Sequence, residues 1–151
     1  MATMRRTSIY RRFQHKTVNS HNMITVKLYV SLLLHLIGDY ILQTEYMAQN
    51  KTKSNWVALI HAITYSLPFP FICPSKYWLI IVVSHYFIDR YRLPVYLIRL
   101  KNMVKWKIPS GENYGFNPNT PPWLSTWLMI IIDNTIHLII NSIAIYLHEY
   151  H

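Results

Sequence analysis

Neutral imidazole and carboxylate are good ligands for Zn, Mn or Fe, and this chain repeats them at one spacing. Each of its three aspartates stands four residues from a histidine. The pairs are His35/Asp39 in LLLHLIGDYIL, His85/Asp89 in IIVVSHYFIDRY, and Asp133/His137 in WLMIIIDNTIHLII. A fourth histidine, His61, stands in another apolar stretch, WVALIHAITYSL. Four residues is a little over one helical turn, so each pair shares a helix face. Four histidines and three aspartates are more than one tetrahedral ion needs. Two ions, or one ion with outer partners and a base, would use them. A bound metal lowers the pKa of its water to about 7 and makes a nucleophile in a dry site. The same groups without metal can carry protons. The plainest alternative makes each pair a structural ion pair that ties helices together.

The segments that must position these residues are apolar. Four blocks are expected to be helices spanning a bilayer, at about 24–43, 55–72, 77–98 and 123–147. A hydrocarbon core of ~30 Å needs about 17–25 helical residues. The first and third blocks are polar at one end, and the second is short and carries Pro68 and Pro70. Ser31, His35, Asp39 and Gln43 form a polar stripe spaced by four, and Thr126, Asp133, His137 and Asn141 form another. Charge at mid-bilayer costs at least ~2.5–3.5 kcal/mol per residue, so such stripes must turn inward. The fold expected is therefore all-α, a polytopic membrane four-helix bundle around an interior His/Asp cluster. The short PFPFICP connection makes the second and third helices antiparallel neighbours. A soluble helical domain is the alternative, and the blocks lack its charged face.

Trp56, Trp78 and Trp123 sit near block starts, where amphipathic rings favour the headgroup level. The net charge is +9, concentrated before residue 17 and after Asp89. No nucleic-acid motif accompanies it, so the bilayer and its anionic headgroups are the expected partners. Residues 1–22 read as a basic extension, or as sequence upstream of a start at Met23, and residues 23–151 as the domain. Lysine and arginine nearly balance across the two sides, which leaves orientation open. One cysteine, Cys73, excludes an intramolecular disulfide and any multi-cysteine metal site. There is no H-E-x-x-H and no G-x-S-x-G. His85-x-x-x-Asp89 matches the end of the membrane phosphatidic-acid phosphatase motif, but the Ser-Arg expected upstream is absent.

The run HLIGDYILQTEYMAQNK from His35 resembles the domain-of-unknown-function 3307 family, small membrane proteins of bacteria and their phages. HAITYSLPF from His61, SHYFIDRYRL from Ser84 and TPPWLSTWLMIIIDNTIHLIIN from Thr120 resemble it too. The resemblance implies a bacterial inner-membrane location. It makes His35, Gly38, Asp39, Gln43, Lys51, His61, His85, Asp89, Asp133 and His137 the characteristic positions. The function expected is a divalent-metal site (Zn, Mn or Fe) supporting hydrolysis of a membrane-resident substrate. His35, His61, His85 and His137 are then ligands, and Asp39, Asp89 and Asp133 are ligands or catalytic bases. Lys51, Arg90 and Arg92 hold an anionic headgroup. Proton or metal-ion transport through the same cluster is the alternative, and a non-catalytic membrane factor is a third.

Overall fold

The computed structural model describes residues 22–74, 76–102 and 113–150, and every regular element among them is helical. Residues 1–21 of the basic extension, with Lys105 and Lys107 of the central basic run, lie outside that range. Helix α1 is Asn22–Leu42, and its end, Ile37–Leu42, is π-helical. A short α2, Glu45–Asn50, starts where Thr44 Oγ1 accepts from the Met47 N–H at 3.2 Å. Ser54 caps α3, Asn55–Ser66, in the same manner. Helix α4 is Lys76–Tyr91, α5 is Leu93–Lys101 and α6 is Pro122–Tyr150. Proline is well suited to start α6, because a first-turn N–H has no intrahelical acceptor anyway.

Cross-helix contacts fix the topology. Asn55 meets Arg90, His61 meets His85 and Ser66 meets Trp78, so α3 and α4 run antiparallel. Tyr77 meets His148 and His85 meets His137, which sets α6 antiparallel to α4. Lys27 pairs with Glu149 and His35 with Asn134, so α1 also opposes α6. The long helices therefore form an up-down-up-down bundle, with α2 and α5 at the end where α1 and α4 finish.

The four expected spans are not all long helices. Among the described residues only α1 and α6, of 21 and 29 residues, are long and apolar enough to cross a membrane. Proline ends α3 after 12 residues, because Pro68 starts a 3₁₀ turn over Phe69–Phe71. The block at 77–98 is divided where Arg92 takes a left-handed conformation (φ 53°) just before Pro94. At ~1.5 Å per residue α3 is about 18 Å long and α4 about 24 Å.

The interior has two halves. Tyr65, Phe69, Cys73, Tyr77, Ile81, Ala144 and Ile145 make an apolar core at one end. Cys73 is a small core residue there, its thiol 3.7 Å from the Ala144 carbonyl oxygen. Toward the other end the interior is mixed: Ser31, His35, Asp39, His61, His85, Asp89, Ser125, His137 and Asn141 are buried beside Ala58, Ile88 and Ile98. Large apolar side chains meanwhile cover the outside of every long helix, among them Leu33, Ile41, Ile60, Leu79, Val83, Ile131 and Ile139.

Candidate metal centre

Asp39 of α1, His61 of α3, and His85 and Asp89 of α4 are all buried, and one ligand atom of each lies within 4.8 Å of the others. His61 Nε2 stands 2.9 Å from Asp89 Oδ2 and 3.3 Å from Asp39 Oδ1. His85 Nε2 stands 3.1 and 3.5 Å from the same two oxygens. The two Nε2 atoms are 3.0 Å apart. Neighbouring ligands of a tetrahedral ion with bonds of ~2.0–2.1 Å stand about 3.3 Å apart. The observed separations bracket that edge length. Asp39 Oδ1 is also buried without a hydrogen-bond partner, an anionic atom that a cation would satisfy. These four side chains fit a divalent ion of the nitrogen/oxygen class.

Helix α6 brings up the third pair. His137 Nε2 is 3.5 Å from Asp89 Oδ1 and 3.8 Å from Asp133 Oδ1. Asp89 is thus the hub, with one oxygen toward His61 and His85 and the other toward His137.

His35 sits one step out. Its Nδ1 is 3.0 Å from the Tyr65 hydroxyl and 3.4 Å from Asp39 Oδ2, while its Nε2 is 3.2 Å from Asn134 Oδ1. Asn141 donates to the Tyr65 oxygen at 2.7 Å, which leaves the Tyr65 proton for His35 Nδ1. The Nε2–H tautomer, donating to Asn134, then satisfies the network. Both ring nitrogens are committed, so His35 packs beside Asp39 and holds the Tyr65 hydroxyl rather than presenting a free lone pair.

Tyr65 is the post around which the imidazoles pack. Its fully buried ring stacks on His85 with centroids 3.7 Å apart, and has His35, His137 and His61 at 5.7, 6.1 and 6.5 Å. Gly38 makes room for it, because a Cβ there would overlap Tyr65 Cδ2. The π turn carries Asp39 at this point of closest approach. Its wider i→i+5 turn changes the rotation per residue, and such insertions recur at functional sites.

The basic residues divide. Lys51 donates to Asp89 Oδ2 at 2.8 Å and lies 3.3 Å from His61 Nε2. Burial works against its charge, but the Asp89 and Asp39 carboxylates outweigh burial and hold the ammonium pKa above its ordinary value. Arg92 lies on the wall of a cavity of about 340 Å³ that opens onto Asp39, Lys51, Asp89 and Asp133. Its guanidinium is 5.4 Å from the centre of the Tyr114 ring. Arg90 turns elsewhere, donating to Asn55 Oδ1 and the Thr52 carbonyl at 2.6 Å. Its role there is to fasten the start of α3. Gln43 lines the cavity, and its Oε1 is buried without a partner.

No motif of the sequence gave a role to Asn134, Tyr40, Tyr65 or Tyr114. The His61/Tyr65 spacing of four was the available signal. Asn134 meets His35 and Tyr40 across more than ninety residues of chain, so no local spacing announces it.

No curated protein and no solved structure matches the chain. A family model described as "Protein of unknown function (DUF3307)" matches residues 27–150, a stretch that holds every residue of the centre. The chain therefore belongs to the DUF3307 family.

Proposed function

We propose that this is an integral membrane protein whose buried His/Asp centre holds a divalent ion and hydrolyses a membrane-resident substrate with an anionic headgroup. The observation that carries this reading is the donor set of Asp39, His61, His85 and Asp89, within 4.8 Å of one another, whose two carboxylates, Asp39 and Asp89, line an open cavity.

The distribution of side chains supports membrane embedding. Polar and ionisable groups are inside, while large apolar side chains face outward along all four long helices. Soluble monomers rarely expose apolar patches beyond a few hundred Å². Trp56, Trp123 and Trp127 are exposed at the end carrying α2 and α5, and Phe71, Tyr146 and Tyr150 at the opposite end. Two aromatic levels suit two headgroup layers. Helices α1 and α6 then cross the bilayer, and the shorter α3–α4 hairpin completes the bundle between them.

A divalent ion, when bound, supplies Lewis acidity and a water of lowered pKa. The chain's own residues do the rest. Lys51 and Arg92 bring two positive charges to the cavity and can hold a headgroup's negative charge. Ile88, Pro94, Val95, Met129 and Ile130 supply an apolar wall for its adjoining carbon chain. Tyr65 and the core beneath it close the floor against water. In hydrolysis a water oxygen bonds to the electrophilic atom of the headgroup, and the leaving oxygen departs with a proton.

The test is metal analysis of the full chain purified in detergent, followed by incubation with mixed phospholipid vesicles and chromatography of released headgroups. The expected result is bound metal, a lower melting temperature on chelation, and headgroup release lost in Asp39→Asn and His85→Ala. Absence of metal together with melting indifferent to chelators would end this reading.

A further inference from the structure

The proposed ion uses four donors and leaves Asp133 and His137 without a task. We infer that these two, with the second oxygen of Asp89, form a second cation site, so that Asp89 bridges two ions. The inference rests on the metal reading above and adds a site to it.

Three observations place the site. The ligand atoms of Asp89, Asp133 and His137 lie within 4.8 Å of one another, as a second group that shares only Asp89 with the first. Asp89 divides its oxygens: Oδ2 faces His61 and His85 at 2.9 and 3.1 Å, and Oδ1 faces His137 Nε2 at 3.5 Å. A carboxylate held between donors on both sides is placed to bridge. Finally, the His137 side chain is only 2% exposed, and its Nε2 has no hydrogen-bond partner. A buried ring nitrogen aimed between two carboxylates is a ligand atom lacking its ion.

The two sites differ in chemistry. The first offers two imidazoles and two carboxylates from α1, α3 and α4. The second offers one imidazole and two carboxylates, and Asp133 lies on the cavity wall with 23% of its side chain exposed. Its remaining positions face the cavity, where water or a substrate oxygen can fill them. An oxygen-rich, partly open set suits a hard divalent cation such as Mn2+ or Mg2+. Paired ions ~3.5–4 Å apart clamp both the attacking and the leaving oxygen of an in-line displacement. The ligand class for the cavity is accordingly a phosphoryl-bearing anion.

Mn2+ binding to the full chain in detergent tests this, read as ions per chain by mass spectrometry of the metal and as the electron paramagnetic resonance spectrum. Wild type should bind two Mn2+ with the spectrum of an exchange-coupled pair. Asp133→Asn and His137→Gln should each bind one, with the spectrum of an isolated ion and an unchanged circular dichroism spectrum. One Mn2+ in wild type, retained in both variants, would overturn the second site and leave the single-ion reading standing. Two ions retained in both variants would overturn this assignment of ligands. No Mn2+ in wild type would defeat both readings.

Discussion

Asp89 gathers Lys51, His61 and His85 around one oxygen and His137 near the other, so its charge is the most heavily used in the molecule. Asp89→Asn should abolish metal binding. It also leaves Lys51 without its nearest counter-charge. Removing one partner of a buried ion pair costs about 3–5 kcal/mol. The Lys51 side chain is 17% exposed, which sets the expected loss at the lower end. His35→Ala should act differently, because the His35 nitrogens are committed to Tyr65 and Asn134 and the ring supports the centre by holding the Tyr65 hydroxyl beside Asp39. The ion should still bind, with affinity reduced about 10–100-fold, as for other outer partners of metal ligands. Calorimetric titration of both variants with one metal checks this. If His35→Ala loses the ion as completely as Asp89→Asn, His35 is a direct ligand.

At the scale of the elements, two backbone features shape the cavity. The first is the close approach of α1 to α3 at Gly38. Gly38→Ala would push Cβ into the Tyr65 ring, and overpacking of a tight interior costs about 1–3 kcal/mol. Because that ring touches the imidazoles, metal affinity should fall together with stability in denaturant unfolding. Stability that falls while affinity holds would mean the centre is independent of this contact. The second feature is the left-handed Arg92 between α4 and α5, facing Tyr114, which is also left-handed (φ 53° in both). A left-handed conformation costs a side-chain-bearing residue about 1–2 kcal/mol, and stacking over an aromatic ring returns about 0.5–1. Arg92→Gly should therefore leave unfolding stability almost unchanged or slightly raised while weakening binding of anionic lipid. Equal losses in unfolding and lipid-binding assays would make Arg92 a structural residue.

At the scale of the whole molecule, the three aspartates and the four histidines paired with them lie within, while many large apolar side chains lie on the outside of the long helices. If a bilayer covers that exterior, the chain should stay in the pellet when membranes are washed with alkaline carbonate. Release into the wash would sink the embedded arrangement. The ion should also act globally, because its ligands come from three of the four long helices, α1, α3 and α4, and no single helix can assemble the set. A ligand at 100 times its Kd adds about 2.7 kcal/mol to the folded state. Chelation should accordingly lower the melting temperature of the entire bundle. Only a local loss of order around α2 and α5 would contradict that.

The sequence alone was enough to find the histidines and aspartates of the cluster, the repeat of four that places each pair on one helix face, and the inward turn of those faces. Helical period is a property of one segment, so it can be read along the chain. The His61–Tyr65 step and the stripe through Ser31, His35 and Asp39 are of this kind. Tertiary packing decided the rest. It separated His35 from the other histidines, put Arg92 rather than Arg90 on the cavity wall, and stood Tyr65 among four imidazoles. It also decided that Asp89, alone of the aspartates, faces both neighbouring groups. Those outcomes depend on the register between helices far apart in the chain, on the π turn that carries Asp39, and on where Pro68 and Arg92 break the apolar blocks. A spacing of four gives the face a residue is on. Only packing determines which other face it meets.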